Sequence, residues 1–174
     1  MRTIQAIIAL VLVVLCAGCA KPPLTQYVVD DGTWAILLPG TPKRSVTPVQ
    51  TAIGPIDMIQ YSSGGGNSYT ALAYADYPSF IANAPALSLL EGARDGALKN
   101  TNAKLVEDKE RHLGEFLGKE IKADLPVAGY GMRAFIFLVK RRLYQIIIVG
   151  TKDEISSARA DSIFFSFELR RDPQ

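Results

Sequence analysis

Apolar residues run almost unbroken from Ile4 to Leu15, with Gln5 alone polar, and at no later point do they run so long. Beyond Lys21 the pattern breaks into short segments. Thr33 to Leu38 reads as a strand closed by the Pro39-Gly40 turn. Arg44 to Ala52 is extended, and Pro48 confines it to a sheet edge because proline cannot donate a ladder hydrogen bond. A period of two comes next. Ile56, Met58 and Gln60 alternate with Asp57, Ile59 and Tyr61; after a glycine loop, Gly64 to Asn67, the set Tyr69, Ala71, Ala73 and Ala75 alternates with Thr70, Leu72, Tyr74 and Asp76. With the first strand these segments predict an antiparallel meander. The period then becomes helical: Leu87, Leu90, Ala93 or Arg94, and Ala97 or Leu98 share one face up to about Asn102, with Pro85 in the first turn and Asn83 as cap. Gly92 and Gly96 weaken this helix by about 1 kcal/mol each. The charged stretch from Ala103 to Pro126 predicts two strands around Leu113 to Gly118. Arg133 to Val139 and Leu143 to Val149, rich in Ile, Phe and Val, suit the centre of a sheet and are joined by a basic turn, Lys140 to Arg142. Asp153 to Phe164 reads as one helix passing into "FFSFEL".

The opening apolar run gives the two cysteines at its end their meaning. Arg2 precedes it, Ala17-Gly18 supplies the small residues a signal peptidase needs, and the run is shorter than the roughly 20 apolar residues of a membrane span. "LCAGCA", residues 15 to 20, resembles the lipobox of bacterial lipoproteins, with cleavage before Cys19 and Cys16, not leucine, three positions before the cut. That resemblance implies a signal peptide over 1–18 and a lipid-bearing Cys19. Two or three acyl chains anchor stably where one does not, at roughly 0.8 kcal/mol per buried CH2. Ala20 is not the aspartate that marks inner-membrane retention, so the sorting rule implies the periplasmic face of the outer membrane, where the host has one. Residues 19–29 then read as an anchored N-terminus and short extended spacer, residues 30–170 as one domain, and 171–174 as a tail. A redox or metal role for the two cysteines lacks a folded C-x-x-C helix start or further ligands.

From Cys19 onward 156 residues remain, enough for one domain with a substantial core. Losing Arg2 leaves 18 basic against 17 acidic residues, and nothing in that balance argues for nucleic acid, which normally needs a concentrated basic face.

Three segments carry a wider resemblance. "WAILLPGTP" from Trp34 to Pro42, the apolar hairpin from Arg133 to Val149, and "SARADSIFFSFEL" from Ser157 to Leu169 occur in the order found in the PsbP-like family, covering about Tyr27 to Leu169. The resemblance implies an α/β domain of α+β type, an α-β-α sandwich around an antiparallel sheet. Members of that family stabilise or assemble photosystems, partner a small GTPase in nuclear import, or are bacterial lipoproteins. Its shared motif residues are fold residues, so it implies no catalytic set and no cofactor.

The remaining chemistry is sparse. His112 is the sole histidine; Glu110 or Glu115 could serve it as a base pair, but a strand or turn residue is the simpler role, and no serine or cysteine is marked as a nucleophile. The glycine stretch lacks the lysine and helix of a phosphate loop. Glu107, Asp108 and Glu110 lack a calcium-loop pattern, and Asp153-Glu154 suits a helix start. Lys140, Arg141 and Arg142 form a basic tip suited to an anionic membrane or a partner, or simply to a solvated turn. Trp34, Tyr61, Tyr69, Tyr74, Tyr77, Phe80 and Tyr130 could line an aromatic groove or pack a sheet face. The sequence therefore predicts a lipid-anchored, non-catalytic binding or accessory protein of the bacterial envelope, held to the membrane by lipid and to an envelope protein in an assembly or maintenance role. A periplasmic small-ligand carrier or a carboxylate-based hydrolase are the alternatives, needing an apolar pocket or converging carboxylates respectively.

Overall fold

The computed structural model describes residues 21–51, 54–65, 68–81 and 84–171; Cys16, Cys19, Asn83, Gly66, Asn67 and the end of the C-terminal tail lie outside them. A seven-stranded antiparallel sheet is built from β3 (Lys43–Thr51), β4 (Gly54–Gly65), β5 (Ser68–Asp76), β6 (Lys104–Leu113), β7 (Phe116–Asp124), β8 (Tyr130–Val139) and β9 (Arg142–Thr151), in the order β3-β4-β5-β9-β8-β7-β6. The helix α1 (Ala86–Thr101) covers one face. A small sheet of β1 (Leu24–Val28), β2 (Trp34–Pro39) and β10 (Glu168–Leu169), with the short helices α2 (Lys152–Ile155) and α3 (Ala158–Phe165), covers the other. An antiparallel sheet between helical layers is thus the architecture that the family resemblance implied.

Alternation in the central hairpin divides the core in two. Met132, Ala134, Ile136 and Leu138 of β8 face α1, where Leu90 meets them together with Ile121, Ala123 and Leu143. The intervening Phe135, Phe137 and Val139 face the small sheet with Tyr144, Ile146 and Ile148 of β9 and Trp34, Ile36 and Leu38 of β2. Both faces of β8 are buried, which is why its sequence carries no clean polar phase. Pro48 lies in β3, an outer strand of the large sheet, as its missing N–H requires.

Three elements depart from the sequence reading. The stretch after Pro22-Pro23 is not a free spacer: Leu24 to Val28 pairs with Pro39 to Ala35. β2 is not part of the meander, because its side chains are buried along nearly its whole length and fill a second layer. The C-terminal helix is two helices, broken at Ser156-Ser157, where the Ser157 hydroxyl accepts from the Ala160 N–H and starts a new helix. The predicted α1 is present, with Pro85 at its N-cap position and Asn102 in the left-handed conformation closing its C-terminus. A Cβ added at Gly92 or Gly96 meets nothing within 4 Å. Gly92→Ala and Gly96→Ala are therefore expected to stabilise the domain by about 0.5–1 kcal/mol each, read from urea midpoints.

One polar network runs through the interior. Glu120 of β7 is 2% exposed and accepts from Nε of Arg133 at 2.8 Å and Nε of Arg111 at 2.8 Å. Arg133 also donates to Asp161 of α3 at 2.6 Å, and its guanidinium lies 4.7 Å from the Phe164 ring centroid. The network links β6, β7, β8 and α3, beside the apolar contacts that Ala160, Ile163 and Phe164 make with the core.

Candidate functional site

The two ends of the central hairpin differ in chemistry, and they lie roughly 30 Å apart along ten residues of strand. At one end β8 meets β9 through Lys140 and Arg141, since Val139 pairs with Arg142. Lys140 takes a positive φ of 57°, which glycine or asparagine adopts more readily than lysine. Arg141 is exposed and donates to the Tyr77 carbonyl at 3.1 Å, while the Tyr77 N–H donates to the Arg141 carbonyl at 2.8 Å. Arg142 is committed to the sheet: it grips Asp76, its register partner, through two hydrogen bonds of 2.7 Å and lies 4.7 Å from the Tyr74 ring centroid. Of the basic triplet, only Lys140 and Arg141 are presented to solvent.

The chain enters the domain at the other end. Lys21 pairs with Glu154 at 3.1 Å, Arg159 donates to the Pro22 carbonyl, and the Gly40 N–H donates to the Pro23 carbonyl at 3.2 Å. Beside this entry a recess of about 750 Å³ opens at the strand ends, lined among others by Pro22, Gly40, Lys43, Ser62, Tyr69 and Tyr130. It lies at the rim of the sheet, not between sheet and α1, where the apolar pocket that the carrier alternative needs would be enclosed.

The seven aromatics do not form one groove. Trp34, Tyr61 and Tyr74 are buried in the core, with Trp34 and Tyr61 edge-to-face at 5.2 Å. They belong to a continuous aromatic series that passes through Tyr144 and Phe167 to Phe137. Tyr69 and Tyr130 line the recess, whereas Tyr77 is half-buried and Phe80 is 72% exposed. Strand alternation alone could not separate them, because their positions depend on which strands become neighbours.

The acidic groups singled out by the sequence are mostly paired with cations or committed to a cap. His112 is exposed on β6, 3.1 Å from Glu110. The acidic run on β6 is dispersed: Glu107 pairs with Lys109 and Lys122, and Asp108 with Arg94 at 2.5 Å and Lys119 at 3.0 Å. Burial pushes the Asp108 carboxyl up, but its bonds from Arg94 and Lys119 outweigh this and hold it below the usual range. Among the described residues no three His, Cys, Asp or Glu side chains converge as a metal site. The carboxyls of Asp31, Glu107, Asp108 and Glu154 are held below the usual range, away from what a general acid requires.

Glu154 has the helix-start role its sequence position suggested. Its carboxylate accepts from the Thr151 N–H at 3.1 Å while the Thr151 hydroxyl accepts from the Glu154 N–H, a reciprocal cap. The Thr151 N–H bond first and the Lys21 ion pair second hold its pKa low. This contribution to stability is complete above the unfolded carboxylate value and is lost as pH falls through the lower folded value. Glu154→Gln is expected to flatten the acid limb of a stability-versus-pH profile and to loosen residues 21–23, read by amide exchange.

No protein-family model matches the sequence, and no curated protein sequence matches it. Solved structures do. The chain resembles the solution structure of cyanobacterial PsbP (CyanoP) from Synechocystis sp. PCC 6803, with a TM-score of 0.57 at 13% identity, over 88% of this chain and 96% of that one. A crystal structure from Bacteroides thetaiotaomicron VPI-5482 matches at a TM-score of 0.48 and 11% identity over 89% of this chain, which spans only 51% of the other. Through the first of these likenesses, and the sheet and helices that carry it, the chain is shown to have a PsbP-like fold.

Proposed function

We propose that this protein is a lipid-anchored, non-catalytic accessory protein of the bacterial envelope, processed before Cys19 and helping to assemble or maintain an envelope complex. The observation that supports it most is the short approach to the folded body. Only Ala20 separates Cys19 from Lys21, and Lys21 to Pro23 are already held by Glu154, Arg159 and Gly40. An acylated Cys19 would carry the domain close against the bilayer, with Lys140 and Arg141 directed away from it. The basic tip then suits a protein partner better than the membrane. A recess open along the sheet rim suits transient contact better than enclosed carriage of a small ligand.

The test is in-cell crosslinking and recovery of the protein, beside a Cys19→Ser form released into the periplasm. One envelope protein recovered in stoichiometric amount, and lost on Arg141→Glu, is the expected result. Recovery of no partner by either form overturns the accessory role.

A further inference from the structure

The end of the domain where the chain enters has the composition of a surface that rests on lipid. Leu125 to Gly129, "LPVAG", joins β7 to β8 there without a charged residue. Pro126, Val127 and Ala128 are exposed, Val127 to 62%. The loop is braced from within: the Leu125 N–H donates to the Tyr130 carbonyl, the Tyr130 N–H to the Val127 carbonyl, and the Lys152 N–H to the Gly129 carbonyl. An apolar loop braced outward, with none of the described residues over it, costs solvation without adding to the core. Around it stand the groups that favour a bilayer interface. Tyr69, 39% exposed, and Tyr130 flank Val149 at the recess, and amphipathic rings of this kind settle at headgroup depth. Lys21, Lys104 and Lys152 lie at the same end; Asp124 is taken up by Lys152 at 2.7 Å and Glu154 by Lys21 and Thr151, while Asp153 is exposed.

We propose that this end is a membrane-apposed face, with the 125–129 loop dipping into the interface and the tyrosines and lysines at the headgroups. The proposal rests on acylation of Cys19 and adds an orientation to it. The length of chain outside the described residues commits the occupant to lipid. From Cys19 to Lys21 the backbone reaches at most about 7 Å, so the lipid chains enter the bilayer beside this end and no other part of the domain can replace it there. The turn between β6 and β7, with Glu115 exposed, is at the opposite end and should stay in water.

The lipidated protein can be tested in vesicles of phosphatidylethanolamine and phosphatidylglycerol carrying spin-labelled acyl chains. With Cys16 removed and Cys19 acylated, Val127→Cys and Glu115→Cys each offer one thiol for a fluorophore. Quenching at position 127 several-fold above that at 115 is the expected result. Equal, weak quenching at both positions, with the protein still in the vesicle fraction, overturns the orientation and leaves the anchor intact. A Cys19→Ser protein that fractionates with cell membranes as the parent does overturns the anchor itself.

Discussion

Glu120→Ala is expected to destabilise the domain by about 3–5 kcal/mol, the cost of leaving a buried charge without its partner. Arg133 is only 6% exposed and would keep Asp161 alone as a counter-charge, across a helix that the same network positions. Arg111 is freer to turn towards water. Urea denaturation with an unchanged slope would give the loss directly. The double variant Glu120→Leu, Arg133→Met should recover most of it, since an apolar pair of similar volume often does as well as a buried ion pair. Equal destabilisation of the single and double variants would mean that the network fixes α3, not merely its own charges. A Glu120→Ala protein as stable as the parent would show that water reaches Arg133.

Gly118→Ala should cost about 1–3 kcal/mol, the opposite sign from the same change at Gly92 or Gly96. A Cβ at Gly118 would stand 2.3 Å from a Phe137 ring carbon and 2.5 Å from the Ile136 carbonyl oxygen. The ring cannot retreat, because it lies among Phe135 and Phe167, and the carbonyl belongs to the β7–β8 ladder. The effect should appear in thermal midpoints, with the near-ultraviolet aromatic signal altered below the transition. An unchanged midpoint would mean that β7 can shift outward without cost.

These two sites show where residue patterns stop being informative. The β8–β9 hairpin is legible because long Ile, Phe and Val runs flank a two-residue basic turn. Pro48 announces an edge by chemistry that holds in any fold. Glu120 and Arg133, in contrast, look like ordinary polar positions on strands; their partners are set by α3 folding over the sheet. β1 is hidden because only Leu24 and Tyr27 of its five residues turn inward and two prolines precede it. The break at Ser156-Ser157 was readable, since serine is a favoured cap, but the apolar residues on both sides share enough periodicity to mask it. The entry end of the domain has no motif either. It exists because Lys21, the 125–129 loop and the start of α2 arrive together through β8–β9 pairing.

The small sheet sets an order on biosynthesis. Its middle strand, β2, is clasped by the first strand of the domain and by the last, Glu168 and Leu169, while the Leu37 N–H donates to the Ser166 hydroxyl 129 residues away. Arg170 and Arg171 both donate from the backbone to the Thr33 carbonyl. A growing chain can form the large sheet's hairpins as they emerge, but it cannot seal the layer beside Trp34 until residues 166–171 are made. Loop closure over that separation is slow. The layer beside Trp34 is therefore the last part of the domain to close, and until then its aromatic side chains stay open to solvent or to a chaperone.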